Sequence, residues 1–223
     1  MAPEGNGNGK GSIEAVIHLI DDDESFRKAV SRMLRAAGYE VHTYASAGDF
    51  LLSYQGDDLA CVLLDVRMPG PSGLDLQASL AAKEISCPII FLTGHATIPI
   101  TVRAMKAGAV DFLTKPVNKE DLLNAIRKAL DLHCQESALR AELSAWKQCV
   151  QTLTPREQQV FDGVVTGKLN KQIAAELGIS ERTIKAHRAQ VMEKMRVQSV
   201  AQLVHIFHQL HSDPTGQHSR SQT

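Results

Sequence analysis

The sequence predicts an α/β domain, a doubly wound five-stranded parallel sheet, followed by a small all-α domain of four helices. Three observations predict this. Apolar runs of strand length alternate five times with helix-period segments between residues 15 and 132. An unbroken helical pattern then covers residues 122–150. At Thr154-Pro155-Arg156-Glu157 a fresh helix start opens a run of helices.

The elements follow in order. AVIHLI, residues 15–20, reads as the first strand and ESFRKAVSRMLRAAG, residues 24–38, as the first helix. YEVHTY, SAGDFLLSY and ACVLLD continue the alternation to residue 65. GLDLQASLAAK, PIIFL, TIPITVRAMKAG, AVDFL and NKEDLLNAIRKALDL complete five strands and five helices, with helices on both faces of the sheet. Gly38 and Gly108 sit just past helical segments, where a left-handed cap is wanted. Asn118 precedes the fifth helix as a cap, with Asp121 in its first turn.

Along residues 122–150, Leu139, Leu143, Trp146 and Val150 are spaced four, three and four apart on one face. That stripe suits either a linker helix packing on its own domains or a coiled-coil seam between two copies. In the second domain Thr154 caps a helix, Pro155 takes its first position and Glu157 returns to the cap. The helix stops at Gly167. Asn170 is expected to cap the next helix, KQIAAELG. A Gly178-Ile179-Ser180 turn leads to ERTIKAHRAQVMEKM, and SVAQLVHIFHQL closes the domain. The expected organisation is a disordered tail 1–13, an α/β domain 14–131, a helical linker 132–151, a helical domain 152–211 and a second disordered tail 212–223.

Composition excludes several classes. No run approaches eighteen apolar residues, and the Gly/Asn-rich start has no apolar signal region, so a soluble cytoplasmic protein is expected. Cys61, Cys87, Cys134 and Cys149 form no C-x-x-C pair, which argues against a disulfide or zinc framework. Residues 13–131 carry 12 Lys/Arg against 16 Asp/Glu, and residues 154–196 carry 8 against 5. A mildly basic segment therefore follows an acidic one, and a polyanion suits the second.

Ligands of open parallel sheets bind at the carboxyl ends of the strands. Asp21 and Asp22 end the first strand, Asp65 the third and Thr93 the fourth, while Lys115 follows the fifth. With strand order 2-1-3-4-5 the first and third strands are neighbours, so the three aspartates converge. Carboxylates that close must shift their pKa values or hold a cation. Mg2+ fits best, because the ligands are few hard oxygens without an EF-hand loop or a His/Cys set. A carboxylate in such a site can attack a phosphoryl group, with Asp65 placed as nucleophile and Asp21 and Asp22 holding the metal. Lys115 supplies the opposing charge, and the Thr93 hydroxyl can bond a phosphoryl oxygen. Lys115-Pro116 is a candidate cis peptide. Taken singly, each of these residues also suits a cap, a turn or a solvated charge; the conjunction at one sheet edge is what points to chemistry.

The stretches IDDDES, LLDVRMPGPSG, FLTGHATIP and AMKAGAVDFLTKP resemble the receiver domain of two-component response regulators over about residues 14–131. TGH and AMKAGAVDF in particular resemble the FixJ branch of the NarL/FixJ family. The resemblance implies a flavodoxin-like fold in which Asp65 takes phosphate from a sensor histidine kinase. It also implies that the backbone carbonyl of Arg67 joins the metal ligands and that Phe112 changes rotamer on activation. That switch position carries Phe rather than Tyr, which speaks against a hydroxyl-dependent version of the switch.

A helix, a glycine turn and a second helix can set the latter into a major groove. Along ERTIKAHRAQVMEKM, Ile184, Val191 and Met195 mark an apolar face; Arg182, Lys185 and Arg188 lie on or beside the other, with Thr183 near the start. Those side chains suit base edges or phosphates, and equally a solvated basic face. The segment from Leu153 to Met195, with TPRE, NKQIA and TIKAH, resembles the LuxR-type output domain over about residues 152–210, which implies promoter DNA as partner. His187, near the buried face, reads as a packed core residue. His205, His208 and His211 suit the rim of a helix–helix dimer contact or, less well, a metal shared in a dimer.

The expected function is therefore a phosphorylation-activated transcriptional regulator, by kinship an activator working with RNA polymerase, that dimerises on phosphorylation and has no enzyme activity beyond self-phosphorylation and slow autodephosphorylation. Two rivals are a phosphatase and a constitutive DNA-binding protein whose first domain only docks proteins. The phosphatase would need a general-acid carboxylate two residues after the nucleophile, and Arg67 stands there. The constitutive binder would not bind acetyl phosphate or beryllofluoride in the presence of magnesium.

Overall fold

A computed structural model describes residues 15–54, 60–94 and 96–211. The chain forms two compact units that part between Glu136 and Ser137. The two tails expected at 1–13 and 212–223 lie outside the described residues.

The first unit alternates β1 (Val16–Ile20), α1 (Glu24–Ala36), β2 (Glu40–Tyr44), α2 (Ala47–Ser53), β3 (Ala60–Asp65), α3 (Gly73–Ala82), β4 (Ile89–Thr93), α4 (Ile98–Lys106) and β5 (Asp111–Thr114). Helix α5 (Lys119–Gln151) follows. The strands form one sheet in the order β2-β1-β3-β4-β5, with every pair parallel. A central strand covered on both faces is apolar along its run, and all six residues of β3 are buried, the apolar Ala60–Leu64 and the closing Asp65. Ile17, Leu19, Cys61, Leu63, Ile90 and Leu92 face one layer of core with Val30, Leu34, Leu122 and Ile126. Ile20, Val62, Leu64 and Phe91 face the other, with Phe50, Leu76, Leu80 and Ala104.

Helix ends follow local chemistry. Asp23 accepts from the amides of Ser25 and Phe26, and Ser72 and Asp75 cap α3 reciprocally. Asn118 accepts from the Asp121 amide at 2.8 Å, as expected. Gly38 and Gly108 have φ of 94° and 92°, the left-handed turn that lets each helix stop.

The second unit contains α6 (Pro155–Val165), α7 (Asn170–Leu177), α8 (Glu181–Lys194) and α9 (Val200–His211). Thr154 and Glu157 form the expected capping box on α6. Val160, Phe161, Val164, Ile173, Ile184, Val191, Leu203 and Ile206 make the core. Trp146, Cys149 and Val150 pack against it, so that part of the apolar stripe is covered by its own unit, whereas Leu139 is 48% exposed.

One local expectation is corrected. Asn170 does not cap α7 but is its first residue, and its side-chain oxygen accepts from Arg188 Nη1 at 2.7 Å. The α7 terminus is satisfied instead by Gln172, whose Oε1 accepts from the Leu169 amide at 2.7 Å. The Gln172 and Ile173 amides, which a side-chain cap at the start of α7 would receive, donate to the Leu169 carbonyl, and Asn170 is left to meet the cation on α8.

Candidate functional site

Because β1 and β3 are neighbours with Ile20 opposite Leu64, the residues that follow, Asp21 and Asp65, emerge side by side at the carboxyl edge. Carboxylate oxygens of Asp21, Asp22 and Asp65 all lie within 4.8 Å of one another, and this is the one such acidic, His or Cys group among the described residues. Asp21 is fully buried, Asp65 is 7% exposed and Asp22 faces solvent. Asp21 Oδ1 accepts from the Asp23 amide at 3.0 Å, so the residue that caps α1 also orients the first aspartate. The Arg27 guanidinium donates to the Asp21 carbonyl. Asp65 Oδ1 accepts from the Arg67 amide at 3.1 Å.

Lys115, the residue after β5, donates from Nζ to Asp21 Oδ2 at 2.5 Å and to Asp65 Oδ2 at 2.8 Å. Its amide donates to the carbonyl of Thr93 at 2.8 Å, which ties the lysine to the end of β4, and Lys115-Pro116 is cis. Thr93 is buried at that edge. Burial pushes the Asp21 carboxyl up from its ordinary value, an effect that the Lys115 hydrogen bond and the Asp23 amide only partly offset. Burial acts to lower the Lys115 ammonium, but hydrogen bonds and charge from Asp21 and Asp65 outweigh it and raise it.

All five residues expected from the strand ends therefore meet at one edge. Phe112, on β5, is half-buried with its ring 5.9 Å from that of Phe91. The donor set is three carboxylates with no sulfur or imidazole, which fits a hard divalent cation such as magnesium.

Two residues were missed. A β-carbon on Gly73 would lie 2.2 Å from the Asp65 carbonyl oxygen, so only glycine lets α3 begin directly beneath the site. Gln77, buried on α3, donates from Nε2 to the carbonyls of Ala104 and Ala107 at 3.2 and 3.1 Å, joining α3 to the end of α4.

In the second unit Gly178, with φ of 65°, turns α7 into α8, and Ser180 caps α8 by accepting from the Thr183 amide. Ile184, Val191 and Met195 are buried as expected, at 0%, 1% and 1% exposure. Arg182, Thr183 and Lys185 are exposed; Arg188 is half-buried with one guanidinium nitrogen committed to Asn170. The Thr183 hydroxyl lies 2.9 Å from that of Ser180. His187 is half-buried, with Nδ1 lacking a hydrogen-bond partner. Among the described residues His205, His208 and His211 join no ligand group. The ring of His205 packs edge-on to Trp146, and His211 Nδ1 pairs with the Phe207 carbonyl.

Residues 17–127 match the family described as response regulator receiver domain, and residues 151–207 match the family described as bacterial regulatory proteins, luxR family. Nodulation protein W of Bradyrhizobium diazoefficiens is 45% identical over 198 residues, covering 89% of this chain and 87% of that protein. The transcriptional regulatory protein FixJ of the same organism is 41% identical over 192 residues, 85% and 93% of the two chains. The chain is a response regulator of the NarL/FixJ family. The solved structure of the response regulator StyR, 44% identical, superposes with a TM-score of 0.79 over 87% of this chain and 98% of its own. Full-length FixJ from B. japonicum, 38% identical, gives 0.55 over 89% and 98%.

This response regulator thus couples a receiver to a LuxR-type DNA-binding domain and regulates transcription within a two-component system. A histidine kinase and promoter DNA are the partners such a pairing implies. No described helix is long and apolar enough to cross a membrane.

Proposed function

We propose that Asp65 is the phosphoacceptor of this regulator and that its phosphorylation drives dimerisation and promoter binding. The observation that carries the reading is the Lys115 ammonium hydrogen-bonded to both Asp65 and Asp21, with Asp22 in the same carboxylate group. An Asp65 oxygen attacks the phosphorus of a phosphohistidine. The new O–P bond forms as the P–N bond breaks, and the imidazole leaves with the electron pair and takes up a proton. Asp21, Asp22, Asp65 and the Arg67 carbonyl would hold magnesium, which supplies charge neutralisation on the phosphoryl oxygens when bound. Lys115 takes a phosphoryl oxygen as its carboxylate partner becomes an acyl phosphate, and the Thr93 hydroxyl donates to another. A small phosphodonor such as acetyl phosphate serves in place of the kinase, and water slowly discharges the acyl phosphate.

Phe112 repacks as Thr93 is drawn to the phosphoryl group, and α4 moves with it. Ile98, Val102 and Met105, spaced four and three apart on α4, are 82%, 45% and 42% exposed, an apolar stripe that a second copy would cover. Two output domains then read a two-fold site, with Arg182, Thr183, Lys185 and Arg188 toward DNA. The regulator acts in the cytoplasm, and the bound dimer raises transcription by contact with RNA polymerase.

The test is footprinting of genomic DNA with and without acetyl phosphate, using wild type and Asp65→Asn, with dimerisation followed by light scattering. Protection and dimerisation should depend on the phosphodonor in wild type and be absent in the variant. An Asp65→Asn protein that dimerised and protected DNA as tightly as phosphorylated wild type would contradict the proposal.

A further inference from the structure

We propose that Phe26 is a positioning residue for Lys115, its ring face holding the ammonium in the site while the lysine exchanges a carboxylate for a phosphoryl oxygen. The proposal rests on the reading of Asp65 as phosphoacceptor. Lys115 Nζ lies 4.2 Å from the centroid of the Phe26 ring, within the range where the negative face of the ring attracts a cation. The lysine side chain is only 17% exposed, so little water competes with that attraction.

The ring is seated by the same turn that seats the acids. Phe26 is in the first turn of α1, its amide donates to Asp23 Oδ1 at 3.1 Å, and the Asp23 amide donates to Asp21 Oδ1. Phe26 is half-buried against the core formed by Val30, Leu34 and Ile126, which fixes its plane. The choice of an aromatic matters chemically. A carboxylate at this position would bind the ammonium as tightly as Asp21 does and hold it back from the phosphoryl group; an aliphatic side chain would leave the partly desolvated charge unsupported. An aromatic face stabilises the cation without a lone pair that competes for its N–H groups.

The decisive experiment replaces Phe26 in the full-length protein by a series of ring-fluorinated phenylalanines, which keep shape and apolarity while progressively removing the negative face. The rate of phosphorylation by acetyl phosphate should fall stepwise with fluorination, and Phe26→Leu should be slower by about tenfold. Beryllofluoride affinity, read without turnover, should fall in parallel, while magnesium affinity stays at the wild-type value. Phe26→Tyr and Phe26→Trp should restore the rate. A flat fluorination series in a protein whose Asp65→Asn variant is inert overturns the role of Phe26 alone. Phosphate uptake by Asp65→Asn removes the reading on which the proposal stands.

Discussion

Gly73 stands so close to Asp65 that a β-carbon on it would lie 2.2 Å from the Asp65 carbonyl oxygen and 3.0 Å from Leu64 Cγ. Its amide donates to the Val66 carbonyl at 3.1 Å, so helix α3 starts against the very end of β3. A methyl group there cannot be relieved by turning a side chain, because the obstacle is backbone. Gly73→Ala should therefore destabilise the receiver by about 1–3 kcal/mol and slow phosphorylation by acetyl phosphate more than the loss of folded protein accounts for. Equal rates per folded molecule would show that Asp65 tolerates the shift.

The sheet and the acidic site were legible because residue type and position coincide there. A continuous apolar run such as ACVLLD, set among strands that alternate with helices, belongs in the middle of a parallel sheet covered on both faces, and an aspartate ending it then stands at the ligand edge. Gly73 was not legible, since in the sequence it only opens the helical segment GLDLQASLAAK, and its true constraint comes from a strand residue eight positions earlier. Gln77 reads as a surface position on a helix, and only the packing of α4 supplies the carbonyls that its Nε2 meets. Asn170 differs for the opposite reason: the cap pattern is local, but α7 takes Leu169 as its cap residue, and Arg188, distant in sequence, donates to the Asn170 side-chain oxygen. The fold of α4 was read from its period, yet the exposure of Ile98, Val102 and Met105 depends on which face the sheet leaves uncovered.

Asp22 separates metal binding from folding. It is the exposed member of the acidic group, so removing its charge removes no core contact. Asp22→Asn should keep stability within about 0.5 kcal/mol of wild type while weakening magnesium at least about tenfold, or about 1.4 kcal/mol. Calorimetric titration checks this, and an unchanged affinity would remove Asp22 from the ligand set.

Glu157 makes the second unit sensitive to acid. The Lys194 ammonium, 2.6 Å from Oε2, and the Thr154 amide hold its carboxyl down at about 2, against 4.5 ordinarily. A depressed folded value means that the contribution is complete above about 4.5 and disappears as pH falls toward about 2. Trp146, the one tryptophan, packs against this unit's core and reports its unfolding. Melting followed by its fluorescence should lose stability across that window in wild type, and Glu157→Gln should start lower and vary less with pH there. Parallel curves for the two proteins would show that the ion pair adds nothing.

The cations of α8 divide by how free they are. Arg182 and Lys185 are exposed, whereas Arg188 is half-buried and bound to Asn170. Removing an exposed cation should cost DNA affinity but not stability, because no hydrogen bond or ion pair to the described residues goes with it; removing Arg188 should lower both, since it also unties α8 from α7. If Lys185 meets a phosphate, Lys185→Ala should weaken binding to all sequences and reduce the slope of log affinity against log salt by about one. If it meets a base edge, the salt slope should hold and discrimination at one base pair should fall by about 1–3 kcal/mol. Titrations at two salt concentrations on the wild-type site and a single-base variant distinguish these outcomes, and unchanged binding in all four would exclude Lys185 from the interface.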